Sequence, residues 1–258
     1  MIKSERGYTL PELMVVIVLT PLFTIIIMIF AFDLWRNGST QQASLDTLVG
    51  RLNANDSIRE ALGPATGMIT QNSIADTHTL VPDPSNASGN YWLPIHAIPG
   101  NTTIGASGTY KPLIYFGRYS SDSTGNYIMN GAQPYQDEYV FYLDGASKSL
   151  MQRSLANQSA SGNRLKTTCP PSIASASCPS DKTIATDIAS VDMRYFSRVG
   201  NLIDYKSIID PITGAYIGPD FPVVEVVEIK LNLSKKPNFS STNTTQSSTI
   251  IRIALRNS

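Results

Sequence analysis

Gly7-Tyr8-Thr9-Leu10-Pro11-Glu12-Leu13-Met14-Val15-Val16-Ile17 opens an uncharged, mostly apolar run that continues from Leu13 to Phe32. At about 1.5 Å rise per residue, a helix over that run spans roughly 30 Å, the thickness of a bilayer's hydrocarbon core. The short segment before it, Met1-Ile2-Lys3-Ser4-Glu5-Arg6, carries the basic residues Lys3 and Arg6. Basic residues ahead of a span hold the N-terminus in the cytoplasm and direct the rest of the chain outward. A secretory signal would end in small residues at a cleavage site. Here the run passes instead into Phe32-Asp33-Leu34-Trp35-Arg36, whose Trp and Arg suit a membrane interface. The physics of the segment predicts a single-pass anchor.

The junction carries more than an anchor needs. Gly7, Tyr8 and Glu12, at that spacing before an apolar run, resemble the class III signal of type IV pilins and type II secretion pseudopilins. The resemblance implies that a prepilin peptidase cuts after Gly7, that the new N-terminal Tyr8 is N-methylated, and that Glu12 pairs with the terminal amine of a neighbouring subunit. It also implies the partners: other pilin subunits through the N-terminal helix, the peptidase/methylase, and an inner-membrane assembly platform. Pro11 departs from the family pattern, but proline is tolerated in a first helical turn, whose N–H groups lack intrahelical partners. A carboxylate at the edge of a span is costly in lipid, so Glu12 requires a partner or a place at the headgroup level. Pro21, after Thr20, is expected to break or kink the helix, either as a soft point in a filament or as an ordinary membrane-helix kink.

Working outward, Asn37-Gly38-Ser39-Thr40 reads as a weak point. Leu45, Leu48, Val49, Leu52, Ile58 and Leu62 then recur mostly at three- and four-residue steps, an amphipathic pattern expected to face a core. Gly63-Pro64 is a stop. Beyond it, a short strand is expected near Thr79–Val81 and another over Leu113–Tyr119. Glu138–Leu143 and Lys148–Arg153 flank an Asp144-Gly145 turn and read as a hairpin. Ile184–Ile188 reads as a short helix or turn. Val191–Arg198 alternates, as do Val223–Leu233 and Thr249–Leu255, with a Ser/Thr/Asn-rich connector, residues 234–248, between the last two. The fold class is α+β: a long N-terminal helix, half transmembrane and half amphipathic, packed on an antiparallel β-sheet domain. The organisation is a leader at 1–7, a transmembrane and assembly segment at 8–36, and an extracytoplasmic globular domain at 37–258. The order of strands over residues 138–258, with a terminal Leu255-Arg256-Asn257, is similar to larger minor pilins and the J-type pseudopilin.

Composition narrows the function classes. Lys plus Arg and Asp plus Glu balance at 20 each, so the basic excess of a nucleic-acid binder is missing. Cys169 and Cys178 bracket a Pro/Ser/Ala-rich loop; outside the cytoplasm they would form a disulfide, the alternative being two unrelated thiols. A metal site is not expected, because His78 and His96 lie far from the cysteines in sequence. No nucleophile arrangement, phosphate loop or cofactor motif appears. The expectation is a non-enzymatic minor pilin or pseudopilin of a type IV pilus or related filament, priming or capping assembly near the tip. It would sit in the cytoplasmic membrane before assembly and in a cell-surface or periplasmic filament afterwards. The alternatives are a pilus-displayed adhesin or DNA-uptake receptor, and a type II secretion pseudopilin.

Overall fold

The computed structural model describes residues 9–94, 110–197, 199–203, 224–237 and 244–255. Gly7, Tyr8, His96, Arg198, Arg256 and Asn257 lie outside the described residues, as do residues 204–223 and part of the 234–248 connector. The chain divides into two compact units, residues 1–46 with 235–245 and residues 47–234 with 246–258.

Helix α1 runs from Leu10 to Leu62 without interruption. It stops where Gly63-Pro64 removes both helix propensity and a donor, and the Gly63 N–H closes the last turn on the Arg59 carbonyl at 2.8 Å. The weak point expected at residues 37–40 does not interrupt it. Residues 37–40 stay helical, with the Ser39 and Thr40 hydroxyls donating back to the Arg36 carbonyl at 2.9 and 3.0 Å. Pro21 also lies within continuous helix. On either side of it, the Thr20 and Thr24 hydroxyls donate to the carbonyls of Val16 and Thr20 at 2.7 and 2.8 Å.

In the second unit the C-terminal part of α1, residues 47–62, packs on antiparallel sheets, giving an α+β fold. Its buried face is made of Ala54, Ile58, Ala61 and Leu62, which join one hydrophobic cluster with the strands. Strands β1 (Gly67–Ile69), β2 (Tyr110–Tyr119), β5 (Gln136–Asp144), β6 (Ser149–Leu155) and β7 (Lys182–Ala185) form a sheet in the order β1-β2-β5-β6-β7. Strands β8 (Ile188–Phe196), β9 (Leu202–Ile203), β10 (Val226–Lys235) and β11 (Thr245–Ala254) form a second sheet in the order β11-β10-β8-β9. A two-residue pair, β3 (Met129–Asn130) with β4 (Gln133–Pro134), completes the strands described.

Period-two burial appears where alternation was expected. Val191 and Tyr195 of β8, Val227, Ile229, Leu231 and Leu233 of β10, and Ile251 and Ile253 of β11 are buried. The β5–β6 hairpin is present, with Asp144 opposite Ser149, so its turn is residues 145–148 and not Asp144-Gly145 alone. The Asp144 carboxylate accepts from the Ala146 N–H and the Ser147 hydroxyl, and Lys148 takes the left-handed conformation with φ 51°. Ile184–Ile188 is neither helix nor simple turn. Lys182–Ala185 pairs with β6, Asp187 reverses the chain at φ 57°, and Ile188 opens β8. The expected strand near Thr79–Val81 reduces to one bridge between Pro82 and Trp92, while Gly67–Ile69 forms a strand on β2. The 234–248 connector is shorter than expected, because β10 extends to Lys235 and β11 begins at Thr245.

Candidate functional site

Glu12 closes the start of α1. Its Oε2 accepts from the Thr9 backbone N–H and from the Thr9 hydroxyl, both at 2.9 Å. Thr9 is the N-cap, Glu12 the third helical residue, and the Thr9 carbonyl takes the first helical bond from Leu13 at 3.1 Å. This is the carboxylate half of a capping box, and it satisfies one of the orphan donors of the first turn. Pro11 has no N–H to satisfy. Both Thr9 bonds converge on one oxygen, and among the described residues none reaches Oε1. The cap is legible in Thr9-x-x-Glu12, the spacing of a capping box.

The helix carries two opposed faces beyond the apolar run. Ala43, Thr47, Ala54, Ile58 and Ala61 are buried. Leu45, Leu48, Val49 and Leu52 are 61, 41, 52 and 51% exposed. The expectation that this stripe packs in the core is therefore wrong for those four residues and right for Ile58 and Leu62. At about 100° per residue the two sets lie on opposite sides of the helix. The six-residue step from Leu52 to Ile58 is where the single expected stripe divides in two. Small residues line most of the buried side. The larger ones, at i, i+3, i+4 and i+7 from Leu45, form a separate surface. Between Leu10 and Trp35 every large apolar side chain is exposed, and the helix is long and apolar enough to cross a membrane.

The third feature is a buried charge cluster in the second unit. Arg153 and its partners Asp76 and Asp181 have fully buried side chains. Arg153 Nε and Nη2 donate to the two oxygens of Asp181 at 2.6 and 2.9 Å; Nη1 donates to Asp76 Oδ2 at 2.8 Å and to the His78 carbonyl at 3.1 Å. Trp92 Nε1 donates to the same Asp76 oxygen at 2.8 Å, and the Arg153 guanidinium lies 5.7 Å from the Trp92 ring centroid. Tyr142 and Thr168 donate their hydroxyls to Asp181 at 2.5 and 2.6 Å. The residue order is legible afterwards in Met151-x-Arg153-x-Leu155, an arginine on the apolar face of a period-two strand. Nothing in the sequence marks Asp76 or Asp181 as its partners, because they come from loops far along the chain.

This cluster ties a long loop to the cysteine loop. Glu138 extends the same fastening: its carboxylate accepts from the Ser73 N–H and hydroxyl and the Ile74 N–H, at 2.8, 2.6 and 2.9 Å. Cys169 and Cys178 are disulfide-bonded with Cα atoms 5.6 Å apart, as expected for an oxidising compartment. Folding also places His78 beside them, with its ring nitrogen and both sulfurs within 4.8 Å of one another. Distance in sequence was thus a poor guide to distance in space.

Burial disfavours the Arg153 charge, but the hydrogen bonds to Asp181 and the two carboxylate charges outweigh it and hold its pKa above the ordinary value. Burial, reinforced by the Asp181 charge and hydrogen bond, pushes the Tyr142 hydroxyl far above its ordinary 10.0. Burial raises Tyr115 and Tyr139 in the same direction. These groups stay neutral in the fold and ionise near their ordinary value once unfolded, so their stabilising effect is full below about pH 10 and is lost progressively above it. The thermal midpoint of the chain is expected to fall as pH rises from about 9 to about 11, with the fall shallower in Tyr142→Phe. A flat profile over that range would show that these hydroxyls are free to ionise in the fold.

No family model matches this chain, and no curated protein does.

Proposed function

We propose that the chain is a minor pilin or pseudopilin of a type IV pilus or related filament, cleaved after Gly7, methylated on Tyr8 and packed through α1 against other subunits. The observation that carries this reading is the exposed stripe Leu48, Val49 and Leu52, a second apolar helix surface that lies beyond the bilayer-length span and is separated from it by the mostly polar residues 36–44. A plain anchor has no use for it. Lipid cannot cover residues that far beyond Trp35, and burying one such side chain contributes roughly 1.5–3 kcal/mol. Helices of neighbouring subunits supply that cover in a filament.

Two further features support the reading. Among the described residues none reaches Oε1 of Glu12, which leaves it to an incoming amine while Oε2 caps its own helix. The disulfide suits a domain carried outside the cytoplasm, the side to which Lys3 and Arg6 direct it. The role is structural and not catalytic: Arg153, Asp76, Asp181 and Tyr142 are buried and bonded to one another, which spends their chemistry on the fold. The length of the exported domain favours a subunit that primes or caps assembly near the tip.

Leu48→Ser/Leu52→Ser tests this in cells that assemble the filament. Both side chains are exposed in the single chain, so its stability should change by less than about 0.5 kcal/mol per site. Incorporation into filaments, measured by co-purification, should fall at least tenfold, about 1.4 kcal/mol or more. Incorporation equal to that of the unsubstituted chain would remove the observation on which the reading rests.

A further inference from the structure

We propose that the reduced cysteine loop is a zinc site, ligated by Cys169 Sγ, Cys178 Sγ and a ring nitrogen of His78, and that disulfide and metal occupy this place in turn. The three donors lie within 4.8 Å of one another. Tetrahedral zinc takes thiolate sulfur at about 2.3 Å and imidazole nitrogen at about 2.0–2.1 Å, so side-chain rotation alone brings these donors onto one ion. His78 is exposed and Cys178 half-buried, which leaves the fourth position to solvent.

The site does not depend on the S–S bond to hold its parts together. Arg153 grips the His78 carbonyl and Asp76, and the Asp76 carboxylate accepts from the His78 N–H at 2.9 Å. On the other side Arg153 grips Asp181, whose own N–H donates to the Cys169 carbonyl at 2.8 Å and whose carboxylate accepts from Thr168. The fully buried cluster thus fixes the backbone of both arms, the one bearing His78 and the one bearing Cys169. When the disulfide opens, the donor set stays assembled. This inference is independent of the filament reading.

The exchange balances with a dithiol reductant. Its thiolate attacks the accessible Cys178 sulfur, releasing Cys169 as thiolate and forming a mixed disulfide; its second thiol then displaces Cys178. Two electrons pass to the cysteine pair, and the reductant leaves as its own disulfide. Zinc binds the two thiolates and displaces any thiol protons. Metal-bound sulfur is withheld from oxidation, so a chain still reduced on export would keep its cysteines unpaired until the zinc is removed.

The detergent-solubilised full chain, reduced with a phosphine and washed, provides the test. Cobalt(II) serves as the spectroscopic probe, and zinc is titrated against a chromophoric chelator. The reduced chain should take up one metal per chain with a thiolate-to-cobalt charge-transfer band, while the disulfide form and Cys169→Ser/Cys178→Ser should show no such band. His78→Ala, at an exposed position, should keep the near-UV circular dichroism of the parent and weaken zinc at least about tenfold, since even outer-shell losses cost that much. A reduced chain that takes up no metal overturns the proposal, whether or not it has kept its fold. Equal affinity in His78→Ala overturns it too.

Discussion

Arg153→Met should lower the free energy of unfolding by about 3–5 kcal/mol, the range for removing one partner of a buried ion pair. The side chains of Arg153, Asp76 and Asp181 are all fully buried, so the substitution strands two carboxylates away from water. Methionine fills much of the same volume, which keeps cavity formation a minor term. The loss therefore reports stranded charge and broken hydrogen bonds. A companion variant separates this from packing: Arg153→Met with Asp76→Asn and Asp181→Asn removes the charges together and should recover part of the loss. Urea unfolding of the detergent-solubilised chain, followed by near-UV circular dichroism, measures both. A loss below about 1 kcal/mol in the single variant would mean that water reaches the cluster.

Glu12 supports the second large effect: its Oε2 caps α1, and under the proposed function its charge pairs with the amine of a neighbouring subunit. Removing the cap alone costs a helix about 0.5–2 kcal/mol. Removing one partner of a desolvated ion pair costs about 3 kcal/mol or more, roughly a hundredfold in an association constant. Glutamine at the same position keeps a side-chain acceptor for the Thr9 N–H, as capping boxes allow, but carries no charge. Glu12→Gln and Glu12→Ala should therefore both drop out of filaments by roughly a hundredfold, although only the alanine variant frays the start of α1. If Glu12→Gln incorporates like the unsubstituted chain, Glu12 is a helix cap and nothing more.

The elements most legible in the sequence are those set by local pattern. The end of α1 at Gly63-Pro64, the β5–β6 hairpin and the alternation of β8, β10 and β11 follow from turn chemistry and period-two burial. What stayed hidden depends on tertiary partners. A stripe of leucines looks the same whether its partner is the chain's own sheet or another molecule, so Leu48 and Leu52 read as core residues although they are exposed. Small residues such as Ala54 and Ala61 give a weak periodic signal, yet they form the packed side. Strand β1 is three residues long and owes its pairing to β2. Arg153 looked like the polar end of a strand until Asp76 and Asp181 arrived from two loops. Of the N-terminal site, the Glu12 carboxylate was readable for its charge, while its bond to Thr9 required the capping pattern to be weighed against the assembly pattern.

The most direct measurement is the intact mass of the protein extracted from membranes of its own host. The account predicts a chain that has lost residues 1–7, begins at Tyr8 and carries one added methyl group. A chain that retains its N-terminal leader, or begins anywhere other than Tyr8, would contradict it.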